Sequence, residues 1–560
     1  MVLGLGFTSC ENTELDLLDN PNSVTPENAS LNELYNNIQL TFRNIYNSQG
    51  NPGVIARMYG GTSTTYNAMT TPTSYNGLWN NVYAGLLPDI EALLGIADAG
   101  GFDIHAGSAK IMEAYSLMVL VDLLGDVPFS QAVQGTDFIS PASDSGADIY
   151  ATAIGLLDEA IALLSGTNAS RPAVDIFYGG DADKWIKAAN SLKIKAAITT
   201  RLVDGSAAST INSIVSSGNF ISDASDDFEF QYGNQRVNPN SRHPFYQSHY
   251  EIGDGAYLSN YFMWLVTADK EGVTDPRANY YFYRKVPDAE GQDATTYSCG
   301  GPSILPDQSA KPPHWEQITG DSRLPYCVLP GTGYSGRDHG NGDGIPPDGP
   351  IRTSYGLYPG GGQFDDETFE DTRQRGTSGG LGEGILPILP SFVVDFMRAE
   401  AALVLGTNDD AAALLEKGIR ASFAKVESFE SLVSSTMSTV ITFRDGSTST
   451  NKEFYGITDD KVDAYVTDVL ALYNAGDADT KLDILVKEFM IAAWGNGYEA
   501  YNLYRRTGKP NNMMPTLDPN PGDFPRSMFY PNDHVTRNAN VSQKALADRV
   551  FWDDGSVDLY

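Results

Sequence analysis

Basic residues are scarce in this chain. Lysine and arginine number 37 against 71 aspartates and glutamates, a formal net charge of −34. None precedes Arg43. A field of that sign repels phosphate backbones, which excludes nucleic acid as a natural partner and disfavours docking on anionic lipid. It favours solubility and neutral or cationic ligands. Cysteine is rarer still, with three residues, and histidine numbers six. No CxxC and no HExxH occurs, so zinc and dithiol redox chemistry have no ligand set. The glycine pair Gly331 and Gly333 lacks the GK[ST] of a phosphate loop. Beyond the first ten residues no run of about 18 apolar residues exists, so nothing there spans a bilayer as a helix.

Aromatic residues, by contrast, make up 11% of the 560 positions, with 30 Tyr, 24 Phe and 6 Trp. A sizeable core is within reach. Apolar residues recur at helical spacing in two regions. In the first, Thr25-Pro26-Glu27 reads as a helix start. Trp79, Tyr83, Leu87, Ile90 and Leu94 form a stripe that Pro88 is expected to bend. Further helices are expected at Ala106 to Leu124 (stopped by Gly125-Asp126-Val127-Pro128), Asp144 to Leu164 and Asp181 to Leu202. In the second region they are expected at Phe392 to Leu405, Asp409 to Val426, Asp459 to Ala475 and Lys481 to Tyr504. Successive helices of this length suggest tetratricopeptide-like stacking, although no strict period of about 34 residues is present. Between the two regions Gly, Pro, Asn, Asp and Tyr dominate. Long loops there suit a functional surface. The expectation is a mostly α body, a tetratricopeptide-like helix-pair scaffold with long irregular loops and few short strands. Residues 23–560 form it: scaffold at 23–216 and 385–505, a loop-rich ligand-binding region at 217–384, and a C-terminal loop segment at 506–560.

The opening Met1-Val-Leu-Gly-Leu-Gly-Phe-Thr-Ser-Cys10 is apolar, ends in small residues and a cysteine, and turns acidic at once. That is the pattern of a bacterial lipoprotein signal, cut before the cysteine, whose thiol is then acylated. Residues 1–10 would be the signal remnant, Cys10 the lipidation site and 11–22 a flexible tether. The positive n-region is missing, and Phe7 stands where leucine is commoner. A ragged start with a chance cysteine is the alternative. Cys299 and Cys327 then remain as an even pair, able to bridge and pin a long loop in an oxidising envelope.

Several segments together resemble the SusD/RagB family of Bacteroidetes outer-membrane nutrient-binding lipoproteins. Leu120-Val-Asp-Leu-Leu-Gly-Asp126-Val-Pro128-Phe129-Ser130 resembles that family's helix end and "GDVPYS" turn. Trp185-Ile-Lys-Ala-Ala-Asn190-Ser-Leu-Lys193 resembles its "W…AN.LK" helix. Phe396-Met-Arg-Ala-Glu400-Ala-Ala resembles its "RAEA" helix, and Leu414 to Arg420 the helix that follows. The Arg337 to Gly349 loop and the ending Asn540-Val541…Phe551-Trp552-Asp553 are similar to the SusD-like subgroup. The resemblance implies a helical scaffold with the ligand site in irregular loops, and no catalysis and no required cofactor. It implies a lipid-anchored protein at the cell surface that partners a TonB-dependent SusC-like outer-membrane barrel as its lid. The ligands it implies are oligosaccharides or oligopeptides.

A sugar-binding surface needs flat rings for the C–H faces of a pyranose and polar groups for its hydroxyls. Two loop regions have this mixture. One holds Arg57, Tyr59, Tyr66, Asn67 and Tyr75, in a stretch from which, by the resemblance, ligand contacts come in part. The other holds Tyr280 to Arg284, with Tyr281, and Pro313 to Glu316, with Trp315. Loop packing is the alternative for Tyr66, Tyr75 and Trp315. Tyr281 alternates with its neighbours as in a strand, which buries one face. Trp79 and Tyr83, on helical spacing, read as core. Asp338, Asn341, Asp343 and Asp348 are hard oxygen donors on a Gly-rich loop and form a candidate Ca²⁺ site. Gly340 and Gly342 occupy slots where an EF-hand has ligands, and ordinary turn formation is the alternative. Asp365-Asp366-Glu367 and Asp226-Asp227 read as solvated loop charges. A glycoside hydrolase on a helical scaffold, or a structural or adhesion repeat protein, remain rival functions.

Overall fold

The structure is a computed structural model that describes residues 30–166, 170–251, 256–288, 311–329, 331–342, 352–370, 372 and 376–560. Cys10, the tether and Thr25 to Glu27 lie outside these residues. The first described helix, α1 (Leu31–Asn47), is capped by Ser30, whose side chain accepts from the Glu33 amide while Glu33 reaches back to the Ser30 amide. That reciprocal cap satisfies two amides that would otherwise be orphaned. The other helices of eight residues or more are α2 (Leu87–Gly100), α3 (Asp103–Leu124), α4 (Gly146–Leu164), α5 (Ala182–Thr200), α6 (Ala207–Ser217), α7 (Asn260–Thr267), α8 (Ser391–Leu405), α9 (Ala411–Glu427), α10 (Asp459–Ala475), α11 (Ala478–Ala492) and α12 (Gly497–Thr507).

Helix α3 is buried along almost its whole length. A helix apolar all round has to sit inside other helices, and α1, α2, α4 and α5 surround it. Helix α8 plays the equivalent part further on. It packs on α5 and α6 from the first region and on α9 and α11 from the second, so one continuous core joins both helical halves. The mostly α, helix-pair architecture expected from the sequence is the one observed.

Three details depart from the sequence expectation. The Trp79 stripe runs as a helix from Asn76 to Asn81, a π turn over Val82–Leu86, and then α2. The π turn accommodates Pro88, which has no amide to donate, at the start of α2. The expected Lys481–Tyr504 helix is two helices, broken at Trp494-Gly495-Asn496. Gly495 has φ +96°, and a Cβ there would meet Pro359 Cγ at 2.8 Å. Only glycine suits both constraints. Helix α6 lies where no helix was expected.

The loop-rich middle contains α7 and short ladders. Strand β1 (Phe228–Gln231) pairs antiparallel with β4 (Ile385–Leu389), and β2 (Phe282–Tyr283) with β3 (Ser354–Tyr355). A third hairpin, β5 (Val440–Thr442) with β6 (Thr448–Thr450), stands outside this region. Each of the first two ladders ties the middle segment to itself or to α8, so the loops are moored to the scaffold at several points.

Candidate functional site

Stretches far apart in sequence meet at one junction. The Tyr66 amide donates to the Pro521 carbonyl at 3.0 Å, and the Leu517 amide to the His339 carbonyl at 2.8 Å. The rings of Tyr66 and His339 lie 6.1 Å apart. Trp315 Nε1 donates to the Thr516 carbonyl at 3.0 Å. Gly342 approaches so closely that a Cβ there would stand 2.7 Å from the Thr62 carbonyl oxygen. Bridges Tyr59 to Leu258 and Ser259 to Arg337 stitch the same loops from beneath. The 57–67, 314–315, 338–342 and 513–521 stretches therefore form one surface.

Its base is Arg57, fully buried, with φ 60°. Its Nε donates to the Met514 carbonyl at 2.9 Å and its Nη2 to the Tyr66 hydroxyl at 2.9 Å. A buried guanidinium is costly unless its donors are all met, and here carbonyls and a hydroxyl meet them. Arg57 is thus a clamp on the C-terminal segment rather than a hand offered to ligand.

The aromatic side chains singled out from the sequence share that fate. Tyr59, Tyr66, Tyr75, Tyr281 and Trp315 are all buried. Tyr75 accepts from Thr70 Oγ1 at 3.1 Å. Tyr59 and Tyr281 pack on Trp494 at 5.7 and 6.0 Å between centroids. Stacking of ligand on these rings is corrected accordingly: in a region without periodic burial, the rings are what the loops fold around. Of that set Asn67 is exposed, and around the junction Thr62, Thr64, Gly342 and Asn520 are exposed with it. The surface offered to solvent is polar on a rigid aromatic underlay. The 513–521 stretch was missed because nothing in its Pro/Asn composition announces a site.

Asp338 is fully buried and both carboxylate oxygens are engaged, by Asn260 Nδ2 and the Cys327 amide, each at 2.8 Å. Burial pushes its carboxyl up to about 6, despite those bonds. It holds loops together, and is not positioned as a Ca²⁺ ligand. Asn341 is also buried. Asp343 and Asp348 lie outside the described residues, among which no group of three His, Cys, Asp or Glu could hold a metal. Cys327 is disulfide-bonded, and Cys299 lies outside the described residues.

The loop carboxylates read as solvated are mostly not. Asp226 pairs with Lys187 at 2.9 Å, Asp227 with Lys425 at 2.9 Å, and Asp365 with Arg284 at 2.7 Å, all three carboxylates buried. Each is matched to a cation on another element, so these acids brace the fold.

A family profile described as "Starch-binding associating with outer membrane" matches residues 21–310, and one described as "Susd and RagB outer membrane lipoprotein" matches residues 387–557. A solved SusD/RagB family protein from Bacteroides thetaiotaomicron is similar over 94% of this chain and 100% of its own, at 20% identity and a TM-score of 0.62. A chitin-binding SusD homologue from Flavobacterium johnsoniae is similar over 94% of this chain and 98% of its own, at 17% identity and a TM-score of 0.59. At such identities the likeness establishes the fold. No curated protein matches the chain. No helix among the described residues is long and apolar enough to cross a membrane.

Proposed function

The chain belongs to the SusD/RagB family of outer-membrane nutrient-binding proteins, and from that premise we propose that it captures an oligosaccharide at the cell surface and passes it to a TonB-dependent β-barrel over which it sits as a lid. The observation that carries this is the loop junction: four stretches distant in sequence meet there, and two of them present Thr62, Thr64, Asn67 and Asn520 over a buried, hydrogen-bonded base. Preorganised polar groups on a rigid support are what weak, specific hydroxyl recognition requires. The net charge of −34 suits a neutral ligand. A chitin-binding fold neighbour favours glycan over peptide. In this reading the 57–67 and 513–521 stretches carry ligand, and buried residues of the 217–384 region such as Trp315 and Asp338 support them.

Binding at such a surface need not be tight. An anchor and a barrel partner hold ligand and protein together, which raises effective concentration without new contacts. Closure of the hinged body over the barrel then commits the ligand inward. The partner is tested by affinity isolation from detergent-solubilised membranes, where a large barrel protein is expected to accompany the chain; a clean monomer sinks the lid role. The glycan is tested by calorimetry against chitohexaose, maltohexaose and cellohexaose. Asn67→Ala is expected to weaken the bound one about threefold to tenfold, the loss of one hydrogen bond.

The anchor has its own test. With Cys10 acylated, Cys10→Ala is expected to move the protein from the membrane fraction to the soluble one while leaving hexasaccharide binding unchanged. Retention of the Cys10→Ala chain on membranes would show that another contact holds it.

A further inference from the structure

The loop of residues 128–141, between α3 and α4, is held tightly yet turns apolar side chains outward. Asp144 accepts from the Phe129 amide, the Ser130 amide and the Ser130 hydroxyl, at 2.7, 2.8 and 2.6 Å. Gln131 accepts from the Ala142 amide at 2.8 Å. At the far end Asn538 and Asn540 donate to the carbonyls of Pro141 and Ser140, at 2.8 and 2.6 Å. What this framework presents is Val133, 37% exposed, and Ile139, 81% exposed. Val133 has φ 58°, a region that a β-branched residue occupies only under strain. Strain opposes folding and an apolar side chain left in water contributes nothing to it, so neither is explained by the stability of the free chain.

Across a cleft of about 230 Å³ from these two residues stands a stack of rings. Trp79 lies against Tyr83 with centroids 4.2 Å apart and against His534 at 4.2 Å. The Tyr83 hydroxyl donates to the Pro128 carbonyl at 2.7 Å, which ties the stack to the loop. His534 Nε2 is buried without a hydrogen-bond partner. The rim is polar: Asn80 Nδ2 donates to Asp533 Oδ2 at 3.3 Å, and Arg537 lies 3.8 Å from Asp533 Oδ1 with its side chain largely in solvent. One acid and one base leave that rim neutral.

We propose that this cleft is a second carbohydrate site, in which a neutral pyranose ring lies between the Tyr83 side and Ile139 with its hydroxyl edge toward Asn80, Asp533 and Arg537. The chemistry selects the ligand. An apolar wall on each side needs a ligand with apolar faces, and C–H rows on a sugar ring supply them. A rim that both donates and accepts needs an edge that does the same. An anion would meet Asp533, a cation would meet Arg537, and a purely hydrocarbon ligand would leave the rim unpaired. The proposal rests on the reading that the nutrient is a glycan. It adds that a long glycan engages two separated places, the loop junction and this cleft, and gains by avidity.

Ile139→Asp and Arg537→Ala alter exposed side chains, so both are expected to fold. Titrations use chitohexaose, maltohexaose and cellohexaose against the full chain, with Asn67→Ala as the junction control. For the sugar that binds, each cleft variant is expected to lose about fivefold to tenfold in affinity, the worth of one contact, and a soaked crystal is expected to hold a sugar ring between Tyr83 and Ile139. If Asn67→Ala weakens binding while both cleft variants bind as wild type, the second site is overturned and the capture function stands. If Ile139→Asp leaves sugar affinity intact but abolishes co-isolation of a barrel, the cleft is a protein interface and the proposal falls. If the wild-type chain binds none of the three sugars, the glycan reading itself falls and the second site with it.

Discussion

Glu499→Ala is expected to destabilise the protein by about 3–5 kcal/mol, the cost typical of leaving buried charge uncompensated. Glu499 is buried on α12, where it accepts from Lys195 of α5 and from Arg506 Nη1 at 2.9 Å. Arg506 donates onward to Glu400 of α8, at 2.9 Å from Nη2, and Arg201 Nη1 stands 3.5 Å from the same carboxylate. Three cations and two anions thus form one chain of contacts through the interior, joining the first helical region to the second. Removing Glu499 leaves Lys195 and Arg506 facing each other with nothing between. Lys195→Met is expected to cost much less, because Glu499 keeps Arg506. Chemical denaturation of the two variants checks the order; equal losses would show that packing, not charge, holds this junction.

The same residue sets an acid limb. Burial raises the Glu499 carboxyl, but Lys195 and Arg506 beside it more than offset this and hold it below the ordinary glutamate value. A carboxyl depressed in the folded state contributes stability above its unfolded pKa and loses it as pH falls through the folded one. The gap in stability between wild type and Glu499→Gln is therefore widest near neutrality and narrows below about pH 4, where the unfolded glutamate takes up its proton.

How far the sequence spoke depended on whether burial was local. Helices α3, α4 and α5 were legible because their apolar period is long and their ends are chemical: Gly125 stops α3, and Ser145 and Asp181 cap the starts of α4 and α5. The break before α12 was not, since apolar residues continue across it and the cause lies at Pro359 and Pro387, far away in the chain. The site was legible as a set of loops and illegible as a set of side chains. Arg57, Tyr66 and Trp315 do come together with the 338–342 loop, yet as its foundation. Whether a tyrosine among glycines faces water is decided by partners such as Thr516 and Trp494, which no local pattern reveals. Trp79 shows the converse. Helical spacing rightly packs it, against Tyr83 and His534, but spacing does not reveal that the packed stack borders a cleft.

Trp494→Ala is expected to be comparably severe, about 3–5 kcal/mol, by the cavity a lost core indole leaves. Trp494 is fully buried at the helix break. It stacks on Phe262 at 4.7 Å and 17°, with Tyr355 at 5.6 Å, Tyr59 at 5.7 Å, Phe282 at 5.8 Å and Tyr281 at 6.0 Å. Those rings come from the 57–67 loop and from three separate stretches of the loop-rich region, so one side chain keys the underlay of the ligand surface to the scaffold. Its Nε1 is buried without a partner, which means that the indole contributes by shape and carries a small polar penalty. Trp494→Phe should therefore cost under about 2 kcal/mol, since it forfeits volume but relieves that N–H. The two variants separate stability from preorganisation. If the surface depends on a rigid underlay, Trp494→Phe will remain folded yet bind the hexasaccharide more weakly than wild type, with the loss appearing as a less favourable entropy as the loops must now be ordered on binding. Unchanged binding by a folded Trp494→Phe chain would mean that the exposed polar groups around Asn67 hold their geometry without it.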